Sequence, residues 1–201
     1  MFAVIFEVNP RPGHKDDYLA HAAVLRPEVE AIDGFISNER FASRTRAGWL
    51  VSLSTWRDEK ALIRWRTHAL HHEIQGKGRS AVLADYHLRV GEIVADSHAT
   101  AVAQQQRFDV TEVGVAKAAS VTERPADTLD RSVAGALEVD CFDSITRPGN
   151  GLMLCSWADQ AAAENGIGGV AGWHRVVRII RDYGMFARAE APQYYPPVAR
   201  P

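Results

Sequence analysis

The chain of 201 residues has little cysteine, no long apolar run and almost no net charge, and each shortage removes a class of protein. Two cysteines, Cys141 and Cys155, cannot build a disulfide framework, so the chain suits a reducing, cytoplasmic setting. No stretch approaches the roughly 18 consecutive apolar residues of a membrane helix. The opening MFAVIFEV enters a strand pattern directly, without the basic leader of a secretory signal. With Lys and Arg numbering 23 against 25 Asp and Glu, the formal net charge is -2. Such a balance gives no electrostatic reason to expect nucleic acid or an acidic membrane surface as partner. The apolar fraction of 46% and charged fraction of 24% are those of ordinary globular domains.

What is present is a repeat. FASRTRAGWLVSLSTWR at 41–57 recurs without a gap as FDSITRPGNGLMLCSWA at 142–158, at a constant offset of 101 residues. Phe41/Phe142, Ser43/Ser144, Thr45/Thr146, Arg46/Arg147, Gly48/Gly149, Leu53/Leu154 and Trp56/Trp157 match, and Asp58/Asp159 and Ala61/Ala162 extend the register. The chain therefore reads as two units of about 100 residues, a usual domain size. The first spans 1–98. The second, at 108–201, is a degenerate copy with an extended C-terminal tail, and the Gln-rich stretch 97–108 connects them.

In the first unit, Phe2 to Val8 alternates like a strand and Asn9-Pro10-Arg11-Pro12-Gly13 turns it. Lys15 to Ile32 has helical apolar spacing and ends at Asp33-Gly34. Phe35 to Ser43 and Trp49 to Trp56 form a hairpin, a helical region runs from Arg57 to Lys77 with a break near Thr67, and Tyr86 to Ala95 is a last strand. The order βαββαβ predicts an α+β, ferredoxin-like unit: an antiparallel sheet with helices on one face. Its bare face needs a second sheet, which predicts two units packed as an eight-stranded α/β barrel, within one chain or between chains. In the second unit Val110 to Val121 is expected as the first strand and Pro125 to Val133 as a shortened helix. His174 follows Trp157 by 17 positions, whereas His87 follows Trp56 by 31. The missing length matches Trp65 to Gly78, so any site is expected once per chain.

That segment, WRTHALHHEIQGKGR, holds three of the eight histidines. On a continuous helix Trp65, His68, His72, Gln75 and Arg79 share a face, with His71 beside them. This supplies an aromatic wall, an imidazole that titrates near neutrality and a cation that can stabilise an anion. An ordinary solvated helix face is the plain alternative, with Trp65 as packing. His68 and His72 stand at metal-ligand spacing, but no Asp or Cys completes a set nearby, so no metal is expected. Trp56 and Trp157, present in both copies, read as packing. Glu190 to Pro197, with Tyr194 and Tyr195, reads as an extended arm laid on a neighbouring surface.

The Pro12-Gly13 turn, Asp33-Gly34-Phe35, Trp56-Arg57-Asp58 and the series Trp65-Arg66, His71, Gln75, Gly78-Arg79 before Tyr86 together resemble the antibiotic biosynthesis monooxygenase family. These small βαββαβ proteins belong to the dimeric α/β-barrel superfamily, of which this chain looks like a fused tandem form. The resemblance implies cofactor-independent oxidation of a phenolic or quinol substrate by O2. His71 would be the base, with His72 as second choice; Arg79 or Gln75 would hold the anion, and Trp65, His68 and Tyr86 would line the pocket. One branch of the family implies haem instead, through an Asn, Trp and His set; here Phe6 and Gln75 stand where the Asn and His belong. A non-catalytic small-molecule-binding or stress protein is a third expectation, since fold does not fix function. A homodimer is expected, to cover the strand edges and the tail.

Overall fold

The computed structural model describes residues 1–99 and 105–200; residues 100–104 of the expected connection, Gln104 among them, lie outside the described residues. The first unit runs β1 (Phe2–Pro10), α1 (Lys15–Glu30), β2 (Phe35–Ser43), β3 (Leu50–Trp56), α2 (Glu59–Arg66), α3 (Ala69–Lys77), a π-helical turn (Gly78–Val82) and β4 (Leu83–Asp96). The second runs β5 (Ala118–Pro125), β6 (Glu138–Ser144), β7 (Asn150–Trp157), α4 (Gln160–Gly166) and β8 (Trp173–Gly184). The segment missing from the second unit corresponds to α3 and its π-turn.

Two expectations for the second unit fail locally. β5 starts at Ala118 rather than Val110, because residues 111–117 coil around the Lys117 ammonium, which donates to the carbonyls of Thr111 (2.8 Å) and Gly114 (2.7 Å). No helix forms over 125–133 beyond one 3-10 turn, Ala126–Thr128. There the Thr128 hydroxyl donates back to the Pro125 carbonyl (2.6 Å) and Asp130 accepts from the Ser132 amide (2.9 Å), side-chain bonds that compete with helix formation.

All eight strands close one barrel inside the chain, in the order β1-β3-β2-β6-β7-β5-β8-β4. Each unit contributes a four-stranded sheet, and the seams join equivalent strands. At the short seam Phe41 pairs Ser144, Ala42 pairs Asp143 and Ser43 pairs Phe142, so the pseudo-twofold axis passes between equivalent residues. At the long seam Glu92 lies opposite Arg178, which donates to it at 2.9 Å. The edges that asked for a second chain are thus paired within this one.

The matched residues of the repeat explain the closure. Gly48 and Gly149 turn the two hairpins at φ 81° and 83°, a left-handed conformation suited to glycine. Asp58 and Asp159 cap α2 and α4, each accepting from the amide three residues on, Ala61 and Ala162, at 2.8 Å. Arg46 bridges Glu7 of its own unit and Asp140 of the other, and Arg147 bridges Glu123 of its own and Glu39 of the other. Behind them Arg89 pairs Glu7 and donates to Ser156 (2.8 Å), while Arg175 pairs Glu123 and donates to Thr55 (3.1 Å). Two copies of one ionic cluster therefore bracket an apolar barrel interior that includes Ile5, Phe41, Leu53, Val121, Phe142, Leu154 and Ile179. Trp56 and Trp157 are both fully buried on the outer, helix-covered faces.

Glu7 sits at the centre of one cluster. Burial pushes its carboxyl up, but Arg89 and Arg46 outweigh that and hold it below its ordinary 4.5. A lowered folded-state value means the stabilisation is present above about pH 4.5 and is lost as pH falls through the folded-state value. Glu7→Gln should lower the thermal midpoint at pH 7, a loss of about 3–5 kcal/mol for a broken buried pair, and the difference from the parent should shrink on acidification. Midpoints that differ equally at pH 7 and pH 3 would refute this.

Candidate functional site

The outer face of the first sheet and its helices do not meet everywhere, and a cavity of about 540 Å³ lies between them. Its floor is the outward side of the strands, with Phe6, Asn38, Arg40, Ser52, Tyr86 and Leu88; α1 contributes Tyr18 and Ala22, and α2 contributes Leu62 and Trp65. In the second unit the corresponding space is filled. A Cβ on Gly166 would lie 1.9 Å from the Trp157 ring, so α4 rests directly on that indole.

The helical region breaks at Thr67, whose backbone amide bonds to the Ile63 carbonyl to end α2, and His68 stands as the N-cap of α3. That break redistributes the expected single face. Trp65 stays on α2 and stacks flat on His71 of α3, with ring centroids 4.1 Å apart at 12°. Trp65, His71, Gln75, Arg79 and Tyr86 all line the cavity. His68 and His72 do not. His68 faces Glu28 at 3.5 Å and stacks more loosely on Trp65, with ring centroids 5.6 Å apart, while His72 is exposed and stacks on Tyr195. The correction follows from the turn at Thr67, which resets the helical phase. Among the described residues no group of three or more His, Cys, Asp or Glu could hold a metal ion.

His71 has a defined tautomer. Its Nδ1 lies 2.9 Å from the Trp65 carbonyl, which can only accept, so Nδ1 carries the proton and Nε2 the lone pair. Burial, reinforced by His68 and His72 and opposed by that hydrogen bond, lowers its pKa to about 4. At neutral pH it is an uncharged acceptor.

The far wall adds, to Tyr86 and Tyr183, residues of the C-terminal arm that the sequence did not assign to the site. After β8 the chain crosses the first unit as an arm. Arg188 donates to the Tyr86 hydroxyl at 2.6 Å, and Arg79 donates to the same oxygen at 2.6 Å. Gln193 donates to the Arg66 carbonyl (2.8 Å), and Tyr195 donates to Gln75 Oε1 (2.8 Å). Since that phenol has a single proton, His72 Nδ1 donates to its oxygen at 3.0 Å. Burial pushes the Tyr183 phenol, also at this wall, up to about 12. The tyrosine content of the tail was the one available signal for this arm, and it did not say which surface the arm would cover.

The chain is thus a closed barrel of two α+β units with a cavity between the sheet and the helices of its first unit. Residues 1–77 match the family model for antibiotic biosynthesis monooxygenase. The chain is 41% identical over 218 residues to "Jasmonate monooxygenase ABM" of Pyricularia oryzae, covering 99% of this chain and all of that protein. The chain belongs to the antibiotic biosynthesis monooxygenase family. Among solved structures, an aldoxime dehydratase in complex with butyraldoxime is similar at TM-score 0.50 and 9% identity, over 89% of this chain and 79% of that one, a likeness of fold alone. The Rv0793 protein of Mycobacterium tuberculosis, at 22% identity and TM-score 0.41, covers 48% of this chain and 97% of its own. Family and relative together support a monooxygenase-like function on a small molecule. No helix among the described residues is long and apolar enough to cross a membrane.

Proposed function

We propose that the chain is a cofactor-independent monooxygenase that oxidises a phenolic or quinol substrate in the first unit's cavity, with His71 as the base. The supporting observation is the neutral His71, its Nε2 lone pair free among the described residues, set between the Trp65 ring and the cavity. The substrate hydroxyl gives its proton to Nε2, and the phenolate passes an electron to O2. Recombination forms a carbon–oxygen bond; loss of the ring C–H and of water then leaves a quinone. All four electrons that reduce O2 come from the substrate, so no other reductant is consumed.

A base of pKa about 4 accepts a proton only transiently from a phenol, so the reaction depends on nearby cations to hold the phenolate, and Arg40 and Arg66 line the same cavity beside Arg79. The relative's name favours a second substrate, a jasmonate-type keto acid. Hydroxylating a carbon of such a molecule consumes two electrons from outside, so it needs an added reductant. An oxygen electrode separates the two. Quinol-dependent oxygen uptake with one quinone formed per O2 is expected; uptake only with jasmonic acid plus a reductant would replace the first reading with the second.

The residues present do not reproduce the haem branch's ligand set, because Phe6 packs on Tyr86 and Gln75 is bound to Tyr195. Titration with haemin should accordingly give no stoichiometric Soret band, and one that disappears in His71→Ala would overturn the cofactor-independent reading. A cytoplasmic homodimer completes the proposal. Cys141 and Cys155 are free and buried, and the exposed Phe108 and Val115, 82% and 83% accessible, offer apolar surface for a second copy. A monomer in analytical ultracentrifugation would remove that part.

A further inference from the structure

Five arginines at the cavity, Arg40, Arg66, Arg79, Arg181 and Arg188, have no carboxylate partner among the described residues. The three acids that line it are each paired with another arginine: Glu30 with Arg26, which lines the cavity too, Glu39 with Arg147 and Glu59 with Arg107. Uncompensated positive charge therefore converges on one space, which favours an anion there.

The convergence is tightest where the arm meets the π-turn. Arg79 is only 4% exposed, yet its Nε and Nη2 have no hydrogen-bond partner; only Nη1 is used, toward the Tyr86 hydroxyl and the Met185 carbonyl (3.3 Å). Arg188, just beyond the end of β8, reaches the same hydroxyl through Nη1, which also lies 3.5 Å from the Gly184 carbonyl, and its Nη2 is fixed by the Gln193 carbonyl at 2.7 Å. Tyr86, Tyr183 and Tyr195 face the two guanidinium groups at 5.4–5.8 Å, which makes the surroundings aromatic and provides no counter-charge. A buried guanidinium with idle donors costs free energy that a planar two-oxygen anion recovers through paired hydrogen bonds.

We propose that Arg79 of the first unit and Arg188 of the C-terminal arm form a carboxylate-binding subsite for the substrate, so that the second half of the chain completes the first half's cavity. The proposal deepens the monooxygenase reading and rests on it for the choice of cavity: the substrate is an amphipathic organic acid whose carboxylate sits at the Tyr86 hydroxyl and whose apolar body lies toward Trp65. The arm thereby becomes a specificity element, which a single-unit member of this fold lacks.

The test is calorimetric binding of jasmonic acid and of its methyl ester to the parent chain and to Arg188→Met and Arg79→Lys. Two charge-assisted bonds predict that the parent binds the acid about 30-fold tighter than the ester. Arg188→Met should collapse that ratio toward one by weakening the acid alone, and Arg79→Lys should retain part of it. Equal binding of acid and ester by the parent, binding of neither, or an unchanged ratio in Arg188→Met would overturn the subsite. Because Arg188 is on an arm outside the barrel, its variant should fold, which its thermal midpoint checks. Oxygen uptake, measured with quinols and with jasmonic acid plus a reductant, separates this outcome from the parent reading: acid-selective binding with no uptake in either assay sinks the monooxygenase reading and keeps the subsite, whereas uptake without acid preference does the reverse.

Discussion

His71→Ala is expected to lower kcat/KM for quinol oxidation by about 10²- to 10⁴-fold, the usual contribution of a positioned general base, with KM changed far less. The expectation follows from the placement of one lone pair. The Trp65 carbonyl holds the Nδ1 proton, so Nε2 alone can accept from a substrate. Because the imidazole is neutral down to about pH 4, activity should stay level from pH 7 to near pH 5 and fall only as His71 becomes protonated around pH 4. A histidine left at an ordinary value would lose activity about two and a half units earlier, near 6.5. His71→Asn, which keeps a polar group but offers no basic nitrogen, should be as inactive as the alanine variant. Retained turnover in both would remove His71 as the base.

Gly91→Ala should cost about 3 kcal/mol of stability or more, from forced overpacking against backbone. Gly91 lies at the irregularity in β4 where the long seam shifts register. A Cβ there would stand 2.2 Å from the Arg178 carbonyl oxygen, 2.5 Å from Val177 Cγ1 and 2.9 Å from the Arg178 carbonyl carbon. Two of these are backbone atoms of the strand that closes the barrel, so relief requires the two units to part. Urea unfolding of Gly91→Ala should show a lowered midpoint, and Gly76→Ala, where a Cβ meets nothing within 4 Å on α3, is the control expected to be neutral or slightly stabilising. Equal midpoints for Gly91→Ala and the parent would show that the seam yields easily.

Much of the fold was legible because its signals are local. The alternation of β1, the cap at Asp58, the break near Thr67 and the hairpin at Gly48 each arise within a few residues. The repeat carried that reading to the second copy. It failed there over 110–117 and 125–133, where Lys117 and a run of Asp, Thr and Ser satisfy the backbone without regular structure. Of the candidate site, the cavity-lining Trp65, His71, Gln75, Arg79 and Tyr86 stood out as unusual residue types close together in the chain. His68 and His72 were misplaced because a single turn at Thr67 changes which residues share a face. Arg188 gave no signal, since its partner Arg79 is more than a hundred positions away and no periodicity links an arm to the surface it crosses.

By itself the sequence determined that this protein is a duplicated chain of two α+β units with one helix-rich half, because covalent order, apolar period and capping residues depend only on near neighbours. Tertiary structure alone decided that the two halves close one barrel within the chain, that Arg46 and Arg147 tie each half to the other, and that the arm delivers Arg188 to the cavity. Those outcomes turn on long-range pairing and on where buried charge finds its partners, quantities that exist only once distant segments are brought into contact.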